Sequence, residues 1–148
     1  MPRGASGRRP RRRWGSFPTT ADMGIWATGG SPAELFEALG LGLFALQTDL
    51  RRVAAREARA VSASGADPIS LTVAYLSQLL VLQQTEGFLA HAIEVRPVGR
   101  PPTGILASVT GETYDPTRHH LRIEVKAITL HHLQLDLDRG RARVIVDI

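Results

Sequence analysis

Apolar side chains recur along this chain at two periods, one helical and one extended, and the switches between them outline its elements. The first helical stretch opens at Ser31-Pro32-Ala33-Glu34. Ser31 can accept a bond from a first-turn amide, Pro32 suits the first helical position, and Glu34 completes a capping box. Behind it Leu35, Leu39, Leu43 and Leu46 share one face, flanked by Phe36 and Phe44. Gly40 and Gly42 lower helix propensity there but permit close packing, so the stripe reads as core. A second helix starts at Asp67-Pro68 and carries Leu71, Tyr75, Leu79 and Leu82 on one face as far as the break at Gly87.

Alternation marks the strands. Met23, Ile25 and Ala27 form one; Leu121, Ile123, Val125 and Ala127, with Arg122, Glu124 and Lys126 between them, form another. Leu133, Leu135 and Leu137 alternate with polar residues. After a turn over Asp138 to Arg141, Ala142, Val144, Val146 and Ile148 do the same, which predicts a C-terminal β-hairpin. Weaker strand signals lie at Ala92 to Val98 and Ile105 to Thr110, and the alanines of Arg56 to Ser64 fit either period. Strands and helices do not alternate regularly, so the pattern predicts an α+β fold with two helices packed on a mostly antiparallel sheet.

Length and composition narrow the picture. A chain of 148 residues, 43% hydrophobic and 22% charged, fits one domain with a real core. Its longest apolar run, Leu71 to Leu82, is broken by Ser77 and Gln78, too short for a membrane-spanning helix. With no cysteine, disulfides and thiolate metal sites are excluded, and any metal must sit on oxygen or imidazole. The net charge of +4 suggests a nucleic-acid binder until the charges are located. Arg3, Arg8, Arg9, Arg11, Arg12 and Arg13 all precede the first acid, Asp22, and the rest of the chain is slightly acidic. Residues 1–13 have almost no apolar side chain to bury and are expected to form a disordered basic arm, able to attract RNA phosphates. No apolar segment of a secretory signal follows it, so the sequence points to the cytoplasm.

Motifs of enzymes are missing. His119-His120 and His131-His132 have no cysteine or HExxH partner, which favours structural histidines over a zinc site. No phosphate-binding loop, dinucleotide fingerprint or nucleophile elbow occurs, so no catalytic residue is assigned. What remains is carboxylates: Asp22 before the first strand, Asp115 in the GETYDPTRH loop and the penultimate Asp147.

Four segments in this order, TTADMGI (19–25), AELFEALGLGLF (33–44), GETYDPTRHHLRIEVKAIT (111–129) and the terminal VIVDI (144–148), resemble the archease family over residues 14–148. The resemblance implies a non-enzymatic protein that activates a GTP-dependent RNA ligase of tRNA splicing and RNA repair, promoting its guanylylation and multiple turnover. It also implies a metal site formed by Asp22, Asp147 and a main-chain or terminal oxygen of Ile148. Oxygen ligands of this kind suit Ca²⁺ or Mg²⁺. Lys126, the only lysine of the chain, becomes a candidate contact for the ligase or its nucleotide. Where the family motif usually reads His-Thr-Ala-Asp, this chain has Thr19 in the place of the histidine. Two other readings stand beside this one: a general chaperone-like binding module for nucleic-acid-processing enzymes with a structural metal, and a metal-dependent hydrolase using the same oxygens.

Hairpin register adds one expectation. A turn centred on Arg139-Gly140 would set Asp136 against Arg143, Gln134 against Ile145 and His132 against Asp147, with the leucines facing Ala142, Val144 and Val146. His132 would then stand beside Asp147 as a partner that orients it.

Overall fold

Both helices begin at the expected caps. In the computed structural model, which describes residues 13–148, Ser31 Oγ accepts from Glu34 N at 3.2 Å and Glu34 Oε1 accepts from Gly30 N at 2.9 Å, opening helix α1 (Pro32–Gln47). Asp67 Oδ1 accepts from Ser70 N at 2.7 Å at the start of α2 (Pro68–Glu86), which ends at Gly87 in the left-handed region. Residues 1–12 of the expected basic arm lie outside the described residues. Arg13 lies inside them, and its carbonyl accepts from Thr28 N at 2.8 Å.

The α+β architecture holds, and its strands, all paired antiparallel, divide between two sheets. The first has the order β1 (Trp14–Pro18), β2 (Met23–Thr28), β7 (Arg141–Asp147), β6 (Ala127–Asp136). The second has the order β3 (Glu57–Ser64), β5 (Gly104–Thr113), β4 (Phe88–Val98). The ambiguous alanine stretch is therefore β3, and the two weak strands are β4 and β5, each longer than the alternation indicated. Each helix rests on both sheets: α1 against β4 and against β1 and β2, α2 against β3 and β6. Between them the core gathers Leu35, Leu39, Leu43, Tyr75 and Leu79 with Ile25 and Val144, all fully buried. Tyr75 ties the helices together. Its ring meets that of Phe36 edge-on at 5.9 Å and its hydroxyl donates to Phe36 O at 2.9 Å, and burial pushes its ionisation well above the usual phenol range. The close approach expected at the α1 glycines is present, since a Cβ at Gly40 would stand 2.6 Å from Tyr75 Oη and one at Gly42 would stand 2.8 Å from Ile25 Cγ2.

Two strand expectations need correction. The alternating stretch Leu121 to Ala127 is not a strand before Ala127; residues 120–126 run as a loop past the end of α1. Partners outside any sheet ladder satisfy its backbone: Arg122 N donates to Gln47 O at 2.8 Å, and His120 O accepts from Thr48 Oγ1 at 3.2 Å. Val125 still turns into the core, so the alternation reports burial on one side without pairing.

The second correction concerns the hairpin, which forms in another register. Asp136 pairs with Arg141 and Gln134 with Arg143, leaving a four-residue connection of 137–140. In it Asp136 Oδ1 accepts from Arg139 N at 3.0 Å, and Gly140 adopts φ 65° with its carbonyl accepting from Gly29 N at 3.0 Å. A side chain at Gly140 would collide with Gly29 O, so docking of this turn on the β2–α1 connection selects both the glycine and the longer turn. Further along, residues 130–133 bulge against the single residue Val144, with His132 at φ 57°. Asp147 consequently pairs with Ala127, and His132 does not stand beside it.

Candidate functional site

The expected site residues meet at one end of the first sheet. β1 and β2 form a hairpin in which Pro18 pairs with Met23, so only Thr20 and Ala21 lie between Thr19 and Asp22. The turn is closed twice: Thr19 N donates to Asp22 O at 3.1 Å, and Asp22 N donates to Thr19 Oγ1 at 3.0 Å. The threonine thus caps the turn that presents Asp22. Met23 pairs with Val146 on the neighbouring strand, and one step further the same register sets Asp22 against Asp147. The recorded ladder ends at Met23–Val146, and continuation of its alternation would direct both carboxylates to the same face of the sheet.

The backbone of Lys126 adjoins Asp147 on its other side. Its amide donates to Asp147 O at 2.7 Å just before β6 begins, and its side chain is exposed. Ile148, exposed and outside the ladder, follows Asp147 directly. The backbone thus brings Asp22, Asp147, Ile148 and Lys126 to one end of the sheet, whereas His132 lies level with Val144, its ring 3.9 Å from that of His131 and tilted to it by 51°. Among the described residues no three His, Asp or Glu side chains gather as a ready-made metal cluster. Two opposed carboxylates with main-chain oxygens at their side remain chemically suited to a hard cation and unsuited to a soft one.

A cluster unforeseen from the pattern holds the loop that delivers Lys126. Glu112, at the buried end of β5 and 3% exposed, accepts from both terminal nitrogens of Arg118 at 2.6 and 2.8 Å, from Ala54 N at 2.7 Å and from His119 Nε2 at 3.0 Å. Arg56 adds a contact at 3.3 Å. His119 is buried, and its Nδ1 accepts from Asp115 N at 2.8 Å, which leaves the proton on Nε2 for Glu112. The Arg118 fork holds the Glu112 carboxyl well below its usual range even though burial works against ionisation. Asp115 also serves the loop: its Oδ1 accepts from Thr117 Oγ1 and N at 2.7 and 2.9 Å, which lowers its pKa and favours the carboxylate. The structural role expected of His119 is thus met, on a loop. The signal available in the sequence was the acid of GETYDPTRHH with an arginine and a histidine six and seven residues later.

Comparison with known proteins places the chain. Residues 14–148 match the model of the Archease protein family (MTH1598/TM1083). Protein archease of Thermococcus gammatolerans is 38% identical over 133 residues, covering 88% of this chain and 93% of that protein. Protein archease of Pyrococcus abyssi is 36% identical over 142 residues, covering 93% and 99%. The solution structure of Methanobacterium thermoautotrophicum protein 1598 superposes with a TM-score of 0.76 at 34% identity, covering 93% of this chain and 100% of the other.

Proposed function

The chain belongs to the archease family, and from that premise we propose that it acts in the cytoplasm as a non-catalytic protein that docks on a GTP-dependent RNA ligase and promotes guanylylation of the ligase for repeated turnover in tRNA splicing and RNA repair. Family membership supports the coarser role, a factor that modulates another protein. The finer reading rests on one observation, the meeting of Asp22, Asp147 and Lys126 at an exposed sheet end.

In this reading the carboxylates of Asp22 and Asp147, with a main-chain or terminal oxygen of Ile148, would hold a Ca²⁺ or Mg²⁺ ion. The ion would supply positive charge opposite phosphate oxygens of the nucleotide being loaded. The chain's own residues do the positioning. Thr19 rigidifies the turn that presents Asp22, the β7–β6 pairing sets Asp147, and the bond from Lys126 N to Asp147 O leaves the ammonium free to meet an anionic group of the ligase or its nucleotide.

The test is a guanylylation assay with a purified RNA ligase, GTP and a divalent cation. Stimulation by this protein, abolished in Asp22→Ala and Asp147→Ala with the fold intact, is the expected result. Silence with a ligase that is otherwise competent would favour the general binding module, and nucleotide hydrolysis by this protein alone would make it an enzyme. If the histidine of the family motif tunes the metal or the partner contact, Thr19→His should raise stimulation across a metal titration although it removes the hydroxyl that accepts from Asp22 N, and an unchanged curve would make the position neutral.

A further inference from the structure

The same outer face of the first sheet carries, away from its acidic end, a pattern that the ligase reading does not use. Strand register lays its side chains in rows. Arg13, Thr28, Arg141 and Asp136 form one row; Gly15, Trp26, Arg143 and Gln134 form the next; Phe17, Gly24 and Ile145 form the third. The two aromatic rings lie over glycines of the adjacent strand, Trp26 over Gly15 and Phe17 over Gly24, where a Cβ would enter either ring. The Arg143 guanidinium sits 4.2 Å above the Phe17 ring. Trp26 and Phe17 are half-buried while Arg141 and Arg143 are exposed, and a groove of about 650 Å³ is bordered by Trp26, Arg139, Arg141 and Arg143, with Ile69, Leu133 and Leu135 also in its wall. Asp136 is the only acid in these rows, and it is 3.9 Å from Arg139.

We propose that this face binds single-stranded nucleic acid, with one base stacked on Trp26, a second on the Arg143–Phe17 pair, and Arg139 and Arg141 against the phosphates. Flat aromatic and guanidinium surfaces bordered by arginines are what unpaired bases and their backbone require. The row spacing along a strand, about 6.6–6.8 Å for two residues, is comparable to the step between nucleotides in an extended strand. The rows are too basic for an apolar peptide, and the glycines keep the rings low on the sheet, so the face is flat where a duplex groove would need a projecting element.

The experiment is fluorescence anisotropy of a labelled oligouridine with the full chain, followed in parallel by tryptophan emission. Quenched emission is expected, and Trp26→Leu should weaken binding about tenfold, the loss of one stacked base. Arg139→Gln and Arg141→Gln, at exposed positions that leave the fold intact by circular dichroism, should each weaken binding and lower the slope of log affinity against log salt by about 0.7. A protein lacking residues 1–12 should keep the Trp26 and arginine effects. Unchanged affinity in the arginine double variant would overturn the proposal. So would complete loss of binding on removing residues 1–12, or competition by duplex RNA as effective as by the single strand. None of these measurements involves the ligase.

Discussion

Single side chains here are held by charge geometry that makes opposite demands at two places. Asp22 and Asp147 each lie one residue beyond the last β2–β7 pair, and like charges set opposite each other there would disfavour each other by a few tenths to about 1 kcal/mol. Without divalent cation, Asp22→Asn should therefore be slightly more stable than the parent. Millimolar Ca²⁺ or Mg²⁺ should raise the melting temperature of the parent and leave that of the variant unmoved, since a ligand stabilises only the state that binds it. Thermal unfolding with and without chelator reads both effects, and equal responses would remove the proposed ion. Glu112 is the reverse case, a buried acid surrounded by donors. Glu112→Gln should cost roughly 2–3 kcal/mol at neutral pH, because Arg118 loses its charged acceptor while remaining partly solvated. Its folded-state ionisation is depressed below the ordinary 4.5, so its contribution is complete above that pH and is lost as pH falls toward the folded value. Denaturant midpoints should show the parent losing its advantage over Glu112→Gln below about pH 4.5, and parallel pH profiles for the two proteins would refute this.

Elements were legible wherever one local rule decided them, and misread where a distant contact did. Ser31, Asp67 and Gly87 delimit the helices because capping is settled within a turn. The Leu121–Val125 alternation was misleading because burial on one side alternates whether the other edge meets a strand or, as here, Gln47 and Thr48. Hairpin register failed for a related reason. Gly140 must fit beneath Gly29, more than a hundred residues earlier, and the bulge at 130–133 leaves no trace in the leucine spacing. At the candidate site Asp22, Asp147 and Lys126 were named from family motifs, and their convergence follows from the β2–β7 pairing that no local pattern announces. Gly40 tests how far packing overrides local preference. Alanine gains about 1 kcal/mol of helix propensity there, but its Cβ would crowd Tyr75 Oη at 2.6 Å and Ile93 Cδ1 at 2.7 Å, an overpacking worth about 1–3 kcal/mol together with the Tyr75–Phe36 bond it disturbs. Gly40→Ala should therefore unfold at lower temperature than the parent, and a higher melting point would show that α2 yields easily.

At the scale of the molecule, the two sheets are joined through the helices and through the 114–126 loop, which leaves β5 in one sheet and enters β6 in the other. Charge is segregated along the outer face of the first sheet, with arginines on the rows near the β6–β7 turn and carboxylates at the opposite end. The proposed ligase contact uses the acidic end, and among the described residues the core begins at Trp14. The arginine-rich residues 1–12 have almost no apolar side chain to bury and are expected to be dispensable for both. Arg13 marks the boundary: its carbonyl completes the pairing with Thr28, and its guanidinium is 3.9 Å from Glu34 at the start of α1. Such an exposed ion pair adds at most about 1 kcal/mol, so the backbone bond is the stronger tie. Removal of residues 1–12 should leave the melting temperature and the stimulation of the ligase at physiological salt unchanged. Removal through Trp14 should lower the melting temperature, because Trp14 packs against the core and opens β1. Calorimetry of the two truncations separates the cases, and a large loss on the shorter deletion would mean that the first twelve residues dock on the fold.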